Sequence, residues 1–172
     1  MTKFRATGAV AAAALLLVGC SSQSPTSAAR SEVPTPATLA SGSFAADLGS
    51  WGQAIDIEAT GTGSDVSGTM EVSSAEGTWS VDLQCSRTAD NGLLVIGGEV
   101  NESTHEIAPE GVYAAILLAP GTPVRTLLWI EEDSASADSC PAFLDTMSSA
   151  PDVDALAGGD LVPIQGDLEL GP

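Results

Sequence analysis

Few side chains in this sequence are suited to chemistry. His105 is the single histidine, so any serine or cysteine nucleophile that needs an imidazole base must use it. It stands in Asn101-Glu102-Ser103-Thr104-His105-Glu106-Ile107-Ala108-Pro109-Glu110, a polar run that reads as a solvated connection between strands. His105-Glu106 opens like the helical zinc motif of metalloproteases, which needs a second histidine four positions on. Pro109 occupies that position and opposes the helix. Gly61-Thr62-Gly63 starts like a dinucleotide-binding loop, but Val66 stands where the third glycine belongs. It reads as a hairpin loop. No Gly-x-Ser-x-Gly elbow and no phosphate-binding loop is present.

Carboxylates present the opposite problem. There are 23 of them, so some pair always stands at a plausible spacing for glycosidase-type catalysis, and the pairing is uninformative. Glu131-Glu132-Asp133 with Asp138, and Asp152 with Asp154 and Asp160, are acidic enough to attract calcium. Neither group follows the twelve-residue calcium-loop spacing. The expectation is therefore no catalytic residue, no metal site and no cofactor.

The thiols are more informative. Cys20 follows an address: Lys3 and Arg5, an uncharged run from Ala6 to Gly19, then Cys20. A positive start, a short apolar middle and small residues at the end make a secretory signal peptide. The run falls short of the ~20 apolar residues that span a bilayer. Leu17-Val18-Gly19-Cys20 resembles the lipobox of bacterial lipoproteins. The resemblance implies that the Cys20 thiol carries diacylglycerol and that cleavage leaves Cys20 as the first mature residue. Residues 1–19 are then a lipoprotein signal peptide, and the protein meets the membrane through its anchor on the extracytoplasmic face. The other reading is an ordinary signal peptide cut near Gly19 or near Ala28-Ala29. Two acyl chains hold a protein stably on a membrane, whereas one is marginal.

With Cys20 acylated, Cys85 and Cys140 are an even pair in an oxidising space, and a disulfide between them is expected. It closes a loop of about 55 residues, worth roughly 4 kcal/mol in the chain-entropy model. Two unrelated buried thiols are the alternative.

Beyond Cys20 only Arg30, Arg87 and Arg125 are basic. Three cations against 23 acids give a net charge of −20. A chain this acidic is repelled by nucleic acid and by anionic lipid headgroups.

The elements that must position these groups follow from hydropathy. Residues 20–41 are rich in Ser, Thr, Ala and Pro and read as a disordered stalk, with one acidic β domain over 42–172. Trp79, Val81, Leu83 and Cys85 alternate with Ser80, Asp82 and Gln84, the period of a strand with one dry face. Ile164, Gly166, Leu168 and Leu170 do the same. Further strands are expected over 53–60, 66–73, 93–100, 112–119 and 124–131, separated by Gly-, Pro- and Asn-rich turns. Leu93 to Ile96 and Ala114 to Leu118 lack alternation and suggest strands covered on both faces. One short helix near Cys140, capped by Ser139 and carrying Phe143 and Met147 on one side, can supply that cover. The expected fold is all-β, an antiparallel sandwich or small barrel of about seven strands.

Trp79-Ser80-Val81-Asp82-Leu83-Gln84-Cys85 followed by Leu94-Val95-Ile96-Gly97-Gly98-Glu99-Val100 resembles a pattern in small all-β secreted lipoproteins of actinobacteria. The resemblance implies an antiparallel β fold and carries no function. Trp79 and Trp129 fit core or cross-strand positions, and Trp51 is a candidate carbohydrate-stacking residue. The functional expectation is a non-enzymatic surface lipoprotein that interacts with another envelope component or protein. The alternative is a carrier of a hydrophobic small molecule or lipid, and a wall-active hydrolase is a third reading.

Overall fold

A computed structural model of the chain describes residues 36–49, 54–89, 92–130, 138–149 and 161–172. Among them the strands form one antiparallel sheet: β1 (Thr38–Ala45), β2 (Ala54–Thr62), β3 (Asp65–Ser73), β4 (Thr78–Thr88), β5 (Leu94–Ser103), β6 (Tyr113–Ala119), β7 (Arg125–Ile130), β8 (Val162–Pro163) and β9 (Gln165–Leu170). One helix, α1, spans Cys140–Ser149.

The sheet order is β8-β7-β6-β5-β4-β3-β2-β1-β9. Its two outermost strands are consecutive in sequence, with only Ile164 between them. Val162 and Pro163 pair with Thr126 and Arg125 of β7, and Gln165 to Leu170 pair with Ala45 to Ala40 of β1. One C-terminal segment thus hands over from one edge of the sheet to the other. The result is a nearly closed barrel, which resolves the choice between barrel and sandwich. Gly171 N–H donates to the Leu39 carbonyl, so the start of β1 and the end of β9 sit together at one end.

Alternation explains the interior. β2 is buried at Ile55, Ile57 and Ala59, and β3 at Val66, Met70 and Val72, while the residues between them are exposed or half-buried. These side chains pack with Phe44, Trp79, Val81, Leu83, Ile96, Ile116 and Leu128 into the inner core. A barrel of about eight strands is just wide enough for side chains to fill. The strand at β1 was not expected. It begins at Thr38, upstream of the expected domain start at Gly42, and its Ala40 is fully buried. Small residues hide it: Gly42 lets β1 approach β9 so closely that a Cβ would overlap the Asp167 carbonyl.

A second apolar cluster lies on the outside. Val95, Ala115 and Leu117 project outward from β5 and β6, and Phe143, Leu144 and Met147 of α1 cover them. This is the two-sided burial suggested by the missing alternation. Ser139 caps the helix, its Oγ accepting the Ala142 N–H at 3.4 Å. Phe143 is fully buried and stacks on Tyr113, with ring centroids 5.7 Å apart.

Candidate functional site

Cys85 reaches the helix through an irregularity. Trp79, Val81 and Leu83 point inward, and strict alternation would send Cys85 inward too. Instead the register with β5 shifts: Leu83 opposes Gly98, and Cys85 opposes Gly97. Gln84 is the extra residue of a bulge, which turns the following side chain to the other face. Cys85 therefore belongs to the outer cluster and forms a disulfide with Cys140, the first residue of α1. Gly97 makes room for it, since a Cβ there would lie 3.2 Å from Leu144 Cδ2 and 3.5 Å from Cys140 Sγ. The expected pairing is present, while the expected dry face of Cys85 is the wrong one. Arg87, two residues on, bonds Asp145 of α1 at 3.0 Å on the exposed rim of the same contact.

His105 is also placed differently from the expectation. It is 3 % exposed rather than solvated. The connection that carries it folds back on the barrel, placing Ala108 and Val112 in the inner core. His105 Nδ1 accepts the Ile107 N–H at 3.3 Å, and Ser103 Oγ accepts the His105 N–H at 2.9 Å. Its Nε2 lies 3.7 Å from a Glu76 carboxylate oxygen. Local hydrogen bonds, not solvent, hold the ring, and the chain buries it as part of a barrel-end closure.

The remaining outer surface, from β9 through β1, β2 and β3 to the upper parts of β4 and β5, is polar. Cross-strand pairing arranges it in two rungs. One runs Asp167, Ser43, Asp56, Glu71, Ser80 and Glu102. The other runs Glu169, Ser41, Glu58, Thr69, Asp82 and Glu99. Carboxylates and hydroxyls mostly alternate. Hydrogen bonds cross the strands: Ser43 Oγ donates to Asp56, and Asn101, which lies between the rungs on β5, accepts from Ser80 Oγ and donates through Nδ2 to Asp82 at 2.7 Å. Two pairs break the alternation and stand directly opposite each other, Asp56 with Glu71 and Asp82 with Glu99. No lysine or arginine stands on either rung.

Two open grooves lie along this wall. The larger, of about 580 Å³, runs between Glu71, Thr78, Ser80, Glu102, Thr104 and Glu110. The smaller, of about 350 Å³, is lined by Ser41, Ser43, Asp56, Glu58, Thr69 and Glu71. Glu71 is common to both. The wall was missed in the sequence because it exists only in register; each strand by itself shows scattered acids.

The expected lipidation residue Cys20, the stacking candidate Trp51, and most of the acidic residues weighed against a calcium loop (Glu131, Glu132, Asp133, Asp152, Asp154 and Asp160) lie outside the described residues. Among the described residues no group of three or more His, Cys, Asp or Glu side chains is placed to hold a metal ion. No protein-family model matches the chain, and neither does any curated protein or solved structure.

Proposed function

We propose that the chain is an exported surface lipoprotein, held on the membrane through Cys20, whose β domain is a binding module rather than an enzyme. The anchor rests on the sequence: Lys3 and Arg5, the apolar run and Leu17-Val18-Gly19-Cys20. The Cys85–Cys140 disulfide fits an oxidising extracytoplasmic compartment. The observation that carries the binding role is where the open space lies. The interior holds Phe44, Met70, Trp79 and a set of branched aliphatics, while both grooves open on the outer wall. Their carboxylates are exposed and set among hydroxyls. A carboxylic acid that donates a proton near neutral pH needs an apolar pocket, so this lining suits counter-charge binding better than hydrolysis.

Intact mass and cell fractionation test the anchor. The protein is expected in the membrane fraction with its first residue at Cys20 and a diacylglycerol mass on it, and Cys20→Ser is expected to lose both. An unacylated chain beginning near Ala29 overturns the proposal.

One feature favours the carrier as a second reading. The indole N–H of Trp79, 2 % exposed in the inner core, has no hydrogen-bond partner. Buried donors are rarely left so, and an eight-stranded barrel can hold one small ligand. Native mass spectrometry of the full chain from its own cells separates the readings: a co-purifying apolar molecule favours the carrier, and a bare mass favours the wall.

A further inference from the structure

The geometry points to a partner class for this module: the acidic wall is the docking face for a lysine- and arginine-rich segment of another polypeptide. This rests on the binding-module reading and deepens it. The wall is a sheet face that nothing in the chain's described residues covers, whereas the neighbouring outer face lies beneath α1. Its charge is of one sign. The two described arginines lie elsewhere: Arg87 is past the bulge and engaged with Asp145 of the helix, and Arg125 is at the start of β7.

Relief is the second, independent observation. Two open grooves lie on this face and share Glu71, so the face has relief. A flat acidic surface repels anions and attracts any cation diffusely. A groove lined by carboxylates and hydroxyls in register gives an extended chain two kinds of partner. Ammonium and guanidinium groups meet Glu58, Glu71 and Glu102, and peptide groups meet Ser80 and Thr69. Successive positions within a rung, one on each strand, stand about 4.8 Å apart, a spacing that long basic side chains span readily. The face-to-face pair of Asp56 and Glu71 costs stability in the free protein. A cation between them removes that cost, so binding and folding are coupled at this point. Such association is fast at low salt and falls steeply as salt rises.

The test uses the full detergent-solubilised chain and a synthetic deca-lysine peptide, with spermine and calcium chloride as separate probes. Binding is read by calorimetry and by amide chemical shifts. The peptide is expected to bind, to shift amides of β2, β3 and upper β4, and to weaken at least fivefold between low and physiological salt. The double variant Glu58→Gln, Glu71→Gln is expected to bind at least tenfold more weakly. Glu106→Gln with Asp138→Asn, an equal change of charge off the wall, is expected to bind as the natural chain does. Melting temperatures of both variants show that each is folded. Equal weakening by both pairs means attraction to net charge alone and overturns the inference. Tight calcium binding without peptide binding overturns it too and makes the face a cation site. Because Cys20 acylation is read separately by mass, an anchored protein that ignores the peptide defeats this inference and leaves the lipoprotein reading standing.

Discussion

On β2 and β3 the outward positions include Asp56, Glu58, Thr69 and Glu71, all in water or a groove; on β5 and β6 Val95, Ala115 and Leu117 lie beneath a helix, while Glu99 further along β5 belongs to the wall. The inward positions of the four strands are the same kind of residue, buried aliphatics. The inner face of a barrel is set by closure, which demands apolar filling from every strand. The outer face is set strand by strand by whatever lies on it. The boundary falls within β4: Ser80 and Asp82 belong to the wall, and Cys85, three residues later and past the bulge, belongs to the helix side. A single inserted residue thus separates a solvated surface from a cross-linked one.

The contrast is most easily broken at the staple. Reducing Cys85–Cys140, or replacing both by serine, is expected to lower unfolding free energy by about 4 kcal/mol, measured by urea denaturation. Coincident transitions with and without reductant would falsify the staple's role. Phe143→Ala tests the packing beneath it, with an expected loss of about 3 kcal/mol; hydrogen exchange should localise the loosening to α1, β5 and β6.

On the wall side the backbone is more sensitive than the side chains. Gly68 has φ +147°, and a Cβ there would overlap the Glu58 carbonyl. Gly68→Ala is expected to cost roughly 1–3 kcal/mol of unfolding free energy. Glu71→Gln should do the reverse. Removing one of two opposed carboxylates is expected to stabilise by about 0.5 kcal/mol at low salt, an advantage that fades with added salt. A destabilised Glu71→Gln would mean that the carboxylate is engaged rather than repelled. A comparably small effect is expected at Arg87→Ala: its ion pair with Asp145 is exposed on both sides and worth under about 1 kcal/mol.

Much of the inner face was legible in the sequence. Trp79, Val81 and Leu83 announce their side by period, as do Ile55 and Ile57, and the seven expected strands all have counterparts. The doubly covered strands were legible too, because loss of alternation at Leu93 to Ile96 has a single physical meaning once a helix is available. What failed was whatever depends on departures from period. The Gln84 bulge turned Cys85 outward, and nothing in Leu83-Gln84-Cys85 marks it apart from the Gly97-Gly98 pair it leans on. Six of the eight residues of β1 are Thr, Ala, Ser or Gly, which look like stalk until β2 and β9 pair with them. His105 sits in a polar run whose burial comes from its neighbours Ala108 and Val112 rather than from itself. The wall needed the register of six strands, and no single window of sequence contains it.

The hand-over at Ile164 also fixes an order of events. β1 is flanked by β2 and β9, so one of its two neighbours is the last strand to be synthesised. A chain synthesised from its amino end must hold β1 half-paired while more than a hundred residues follow. Hairpins from β2 to β7 can zip as they emerge, each beside its predecessor. The ring cannot shut until Gln165 to Leu170 arrive. A truncated product would therefore emerge with two raw sheet edges, a form that quality-control proteases recognise and intact barrels do not present.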